Sequence, residues 1–145
     1  MAGLSIRHRI PHEEFDYQSL LDTLTVYSRP RAKITALLRD GVIVRVKKGL
    51  YIFGEQERRK QLCRELLANL IYGPSCVSLE YALASHGLIP ERVETVTSVT
   101  SGRSRGFDTP VGRFTYRMIS MEAFPVGVDR VETGDGRAFL IATPE

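Results

Sequence analysis

The segment SRPRAKITALLRDGVIVRVKKGLYIF, residues 28–53, divides at Gly41 into a helix and a hairpin. Ser28 offers an N-capping oxygen, and Pro30 suits the first helical turn, where its missing N–H costs nothing. Ile34, Leu37 and Leu38 recur at helical spacing, which predicts a helix over residues 28–40 with those side chains buried. Gly41, after Arg39-Asp40, is a stop signal. The run from Val42 to Val46 reads as a strand, Lys47-Lys48-Gly49 as a turn, and Leu50 to Phe53 as the returning strand. Upstream, Asp16 can cap a helix whose apolar face is Tyr17, Leu20, Leu21 and Leu24. The Thr25-Val26 pair and Ser28-Arg29-Pro30 end it.

Charge is concentrated in the same stretch. Between Ser28 and Gly49 there are seven basic residues (Arg29, Arg31, Lys33, Arg39, Arg45, Lys47, Lys48) against one acid, Asp40. Residues 1–60 hold 12 Lys/Arg and 7 Asp/Glu, a net of +5, whereas residues 61–145 hold 8 and 10, a net of −2. The whole chain carries only +3, so the local block, rather than the total, points to a polyanion. On a helical wheel the side opposite Ile34, Leu37 and Leu38 carries Arg29, Ala32, Lys33, Thr35, Ala36 and Arg39. Small residues between long cations let a helix approach base edges closely. A helix fits the major groove of B-DNA, and a basic hairpin can lie along the flanking backbone. Arg29 and Lys33 have the reach for guanine, Thr35 suits a thymine methyl or a phosphate, and Arg39, Lys47 and Lys48 suit phosphates. Only a turn fits between Leu24 and Ser28, so the module lacks a middle helix at this stage. Arg7-His8-Arg9 reads as a frayed charged terminus, with a minor-groove arm as the alternative.

Beyond Gly54 the reading is a long helix over residues 55–72, with Leu62, Cys63, Leu66, Leu67, Leu70 and Ile71 as its apolar face. Gly73-Pro74 breaks it. Ser78 is expected to cap a short helix with Leu79, Ala82, Leu83 and His86 on one side, and Gly87 ends it. Segments 93–100, 104–109, 113–120, 126–132 and 137–142 then read as strands separated by turn residues. The expected fold class is α+β: a winged helix-turn-helix over residues 1–54, then a mixed α+β domain over residues 55–145 with an antiparallel-rich sheet.

At 43% hydrophobic and 26% charged, the composition is that of a chain with material for a core. No apolar run approaches the roughly 20 residues that span a bilayer, and no signal peptide is read, so a cytoplasmic location is expected. Neither a cofactor nor a metal is expected. Cys63, Cys76 and His86 match no common zinc spacing, and the cysteines read as core filler. Asp129, Glu132 and Asp135 are explained by strand alternation into a turn rather than by metal-dependent chemistry. The Ser101–Gly106 loop reads as a hairpin turn, with phosphate binding as the lesser alternative. No nucleotide loop or nucleophile pair occurs, so the chain is not expected to be an enzyme.

The pattern Pro30-Arg31-x-Lys33-Ile34-x-x-Leu37-Leu38-x-x-Gly41-Val42-Ile43-x-Arg45-Val46-x-Lys48-Gly49-Leu50-Tyr51 resembles the N-terminal domain of AbiEi-type antitoxins, regulators in phage-defence type IV toxin–antitoxin systems. Ser78 to Ile89, Thr97-x-x-Thr100 and the closing Ala142-Thr143-Pro144-Glu145 are similar to that family's second domain. The resemblance spans residues 15–145. It implies a repressor that binds inverted repeats of double-stranded DNA in its own promoter, through Arg29, Arg31, Lys33, Arg39, Arg45, Lys47 and Lys48. It further implies a nucleotidyltransferase-like toxin as functional partner, without a stable complex. Family members continue past this Pro-Glu with a further helix, so a short member or a truncated chain is expected. The alternative function is a winged-helix interaction module whose basic face docks an acidic partner or the toxin.

Overall fold

A computed structural model describes residues 2–90, 93–123, 127–133 and 137–143. The protein is α+β, with antiparallel-rich sheets, and divides into two compact units, Met1–Leu62 and Cys63–Glu145.

The first unit begins with α1 (Ala2–Arg9), which the sequence reading did not anticipate. Arg7 is buried and ion-paired to Glu13, so it is neither a frayed end nor a groove-reaching arm. Strand β1 (Glu14–Asp16) leads into α2 (Tyr17–Thr23). Asp16 caps α2 as expected: its carboxylate accepts from the Ser19 N–H at 2.7 Å. Helix α3 spans Pro30–Arg39. Arg29, not Ser28, occupies its N-cap, with no side-chain cap bond, and Pro30 sits at the start of the helix. Ile34 and Leu37 are buried, and Leu38 packs half-buried beside them. Gly41 takes φ +74°, and Val42 N–H bonds back to the Leu37 carbonyl at 3.0 Å, a left-handed stop that glycine allows without a Cβ penalty.

Strands β2 (Ile43–Lys47) and β3 (Leu50–Phe53) form the hairpin, with a bulge between Arg45 and Lys47 and Gly49 at φ +87° in the turn. Strand β3 is central in an antiparallel sheet of order β1-β3-β2. One core joins the helices to this sheet: Ile6, Ile10, Phe15, Leu20, Leu24, Ile34, Leu37, Ile43, Tyr51 and Phe53.

The predicted long helix over residues 55–72 is not continuous. Glu55–Glu57 form a single 3-10 turn, and the backbone is extended at Arg58. Arg58 Nε donates to the Phe53 carbonyl at 2.9 Å, and Arg59 N–H to Glu13 Oε1 at 3.1 Å. These bonds tie residues 55–59 to the first unit, and the division falls after Leu62 rather than at Gly54-Glu55.

The second unit opens with α4 (Arg64–Ile71), which buries Leu66, Leu67, Ala68 and Ile71 and leaves Leu70 exposed. Strand β4 (Ser75–Val77) was not anticipated. Helix α5 (Leu79–Ser85) ends at Gly87, φ +73°. Strands β5 (Val96–Thr100), β6 (Arg105–Thr109), β7 (Gly112–Met118), β8 (Val128–Glu132) and β9 (Ala138–Ala142) match the five expected strands, with ends shifted by up to three residues. They join β4 in a mixed sheet of order β6-β7-β5-β4-β9-β8. Three neighbouring pairs are antiparallel, while β4–β9 and β5–β7 are parallel. Helix α4 lies on this sheet. Ala68's carbonyl accepts from Ser75 Oγ and from the Tyr116 hydroxyl, and Asn69 exchanges two bonds with the Leu140 backbone.

Candidate nucleic-acid interface

Helix α3 presents its cations because its apolar residues sit on the other side. Arg31, Ala32, Thr35 and Arg39 are exposed, opposite buried Ile34 and Leu37. Arg31, Thr35 and Arg39 stand four residues apart, which places them along one face. The Thr35 hydroxyl donates to the Arg31 carbonyl at 3.2 Å, leaving its methyl and a lone pair for a ligand. Arg39 Nε meets Asp40 Oδ1 at 3.3 Å, with the two side chains 72% and 59% exposed. So exposed a pair contributes little and can exchange partners with a phosphate. Arg29 is exposed just before the helix.

Lys33 differs from the other predicted contacts. It is half-buried on the flank of α3, with its Nζ 4.9 Å from the centre of the Tyr27 ring. Tyr27 belongs to the turn between α2 and α3, and this cation–π contact holds the ammonium beside that turn. Nothing in the spacing singled out Tyr27, whose partner lies six residues on. Val26, 66% exposed, caps the same turn with an apolar surface.

The hairpin carries the remaining predicted residues. Arg45 is exposed opposite Tyr51, Lys47 is half-buried opposite Leu50, and Lys48 is exposed in the turn. The turn is anchored, since Gly49's carbonyl accepts the Tyr17 N–H at 3.1 Å. At the base of the hairpin Gly54 N–H bonds the Val42 carbonyl at 2.8 Å, so α3 and the hairpin rise from one clamped junction. The acids gather at that base, where Asp40, Glu55 and Glu57 border a cleft of about 350 Å³. The structure thus groups Arg31, Thr35 and Arg39 on one helix face and Arg45, Lys47 and Lys48 on the hairpin.

The other constellations are occupied by structure. Among the described residues no group of three or more His, Cys, Asp or Glu is placed to hold a metal ion. Cys63 and Cys76 are free thiols, each pushed up to about 11 by burial. His86 Nε2 lies 2.8 Å from the Ala142 carbonyl. Asp129 accepts the Arg130 N–H, and Glu132 pairs with the Arg130 guanidinium at 3.1 Å; Asp135 lies outside the described residues. In the Ser101–Gly106 loop, Ser104 Oγ accepts the Met118 N–H, and Arg105 lies over Tyr72 and Phe107 at 5.4 and 4.8 Å. Among the described residues no helix is long and apolar enough to cross a membrane.

Compared with protein-family models and with curated proteins, the chain gives no match.

Proposed function

We propose that residues 1–62 are a winged helix-turn-helix that binds double-stranded DNA. The order α1-β1-α2-α3-β2-β3, with the sheet ordered β1-β3-β2, supports that class. Helix α1 supplies the third helix that the sequence pattern lacked, packing Ile6 and Ile10 into the core shared with α2 and α3. The observation that carries the reading is the open face of Arg31, Ala32, Thr35 and Arg39, cations flanking small residues on a helix backed by a rigid core. In this reading α3 enters the major groove, and Arg45, Lys47 and Lys48 on the wing fix register on the phosphates.

The particular protein we propose is an autoregulating repressor of the AbiEi antitoxin type, resting on the motifs in both halves of the chain. It would occupy inverted repeats in its own promoter, act in the cytoplasm and perform no catalysis of its own. A nucleotidyltransferase-like toxin would be its functional counterpart. A mobility-shift titration on the DNA upstream of its coding sequence tests this, with scrambled DNA of equal length as control. Retardation of the promoter at concentrations that leave scrambled DNA free is expected. Equal retardation of both overturns sequence-specific recognition and leaves a basic surface for acidic partners.

A further inference from the structure

Arg64 is the first residue of α4. Its Nε is buried, and no hydrogen-bond acceptor meets it. The guanidinium is held in place, with Cζ 5.5 Å from the centre of the Phe114 ring. It also lies so close to Gly112 that a Cβ there would strike Nη2. A fixed, buried donor without an acceptor is unfavourable, so such a group needs a water, an ion or a ligand.

Space is available on both sides of it. One cleft of about 520 Å³ is bordered by Arg64, Tyr81, Ile89, Pro90, Val93 and Glu94. A second, of about 420 Å³, is bordered by Arg64, Glu94, Thr95, Gly112 and Arg113. Arg64 and Glu94 border both clefts. The second adds another guanidinium, that of Arg113, which among the described residues pairs with exposed Asp108 at 2.6 Å. The first adds apolar wall. Two guanidiniums beside an apolar surface suit an oxyanion with a hydrophobic body.

We propose that this groove binds a small organic acid. Arg64 and Arg113 hold its carboxylate or phosphate group, and Ile89, Pro90 and Val93 cover its apolar part. The inference concerns residues of the second unit alone and does not depend on DNA binding.

The test is calorimetric melting of the full chain at constant ionic strength in chloride, inorganic phosphate, acetate, benzoate or phenyl phosphate. Benzoate or phenyl phosphate should raise Tm above the chloride value by more than acetate or inorganic phosphate does. Whichever of the two acts more strongly separates carboxylate from phosphate recognition. Arg113→Gln should weaken the ligand about tenfold or more. Arg64→Gln should abolish the shift; if that variant does not fold, the loss in Arg113→Gln carries the test. Equal shifts in wild type and Arg113→Gln, or no anion-specific shift in wild type, overturn the proposal.

Discussion

The Arg7 guanidinium donates to the Glu13 carboxylate at 2.5 Å with both side chains nearly sealed from solvent, 3% and 6% exposed. Arg7 also donates to the His12 carbonyl and lies 4.4 Å from the centre of the Phe53 ring, while Glu13 receives the Arg59 N–H. This pair joins α1 to β1 and to the segment after β3. Removing one member strands the other charge in a desolvated site, which costs about 3–5 kcal/mol. Glu13→Ala should therefore lower the urea midpoint severely. The double variant Arg7→Met/Glu13→Gln should lose less than the sum of the single changes. Additive losses would mean that the two groups do not act as a pair.

The cap on α2 gives the first unit a pH dependence of known sign. The Ser19 backbone N–H beside Asp16 holds its carboxyl below the ordinary carboxylate range. A carboxyl depressed in the folded state contributes stability above its unfolded value, near 3.8, and loses it as pH falls through the folded value. Asp16→Ala should cost about 1 kcal/mol at neutral pH. The gap between wild type and variant should close as the melt is moved into strong acid. A gap that stays constant with pH would rule out the carboxylate cap.

Two glycines at the base of the hairpin should respond differently to alanine. Gly41, at φ +74°, has nothing within 4 Å of an added Cβ, so Gly41→Ala carries only the left-handed backbone cost, about 1–2 kcal/mol. At Gly54 the Cβ would collide with the Gly41 carbonyl, a backbone atom that cannot step aside. Gly54→Ala should break the Gly54–Val42 hydrogen bond and destabilise the unit well beyond Gly41→Ala. Thermal melts of the two variants make the comparison.

In the second unit a threonine from the sheet does the work expected of Ser78. Thr97 Oγ1 donates to the Ser78 carbonyl at 2.6 Å and accepts the Tyr81 N–H at 3.0 Å, while Ser78's own side chain makes no cap bond. Leu79, between them, is held at φ +57°, a strained conformation for leucine. Thr97→Val should cost about 1–3 kcal/mol by leaving the Tyr81 N–H unpaired, while the Ser78 carbonyl keeps the Ala82 N–H at 3.3 Å. Thr97→Ser, which keeps the hydroxyl, should cost far less, as chemical denaturation of the two variants would show.

The elements that could be read from the chain were those with a strong local period and a defined end. Helix α3 and the hairpin followed from Ile34, Leu37, Gly41 and the Lys48-Gly49 turn, and the cap at Asp16 followed from its position before Tyr17. Helix α1 was hidden because, among the described residues, its anchors are Ile6 and the Ile10 that follows it, and its stabilising contact, Arg7 with Glu13, is a tertiary one. Strands β1 and β4 are three residues long, too short for an alternation to register. The span 55–63 carried a helical pattern, but Arg58 and Arg59 are drawn into bonds with Phe53 and Glu13 instead. At the candidate interface Arg29 and Arg39 were legible from charge and wheel position, whereas Arg31 was legible from charge alone and lies exposed although the wheel did not place it on the outward face. The flanking role of Lys33 was not, because it depends on where the turn places Tyr27.

The central claim is that DNA is read by the open face of α3. Fluorescence anisotropy on promoter DNA over a range of salt concentrations, comparing wild type with the triple variant Arg31→Ala/Thr35→Ala/Arg39→Ala, tests it most directly. Two lost cations should flatten the slope of log K against log salt by about 2, at −0.9 or so per phosphate. Discrimination against scrambled DNA should collapse at the same time, with the fold intact by circular dichroism. A folded variant that keeps the wild-type affinity, slope and discrimination would contradict the account.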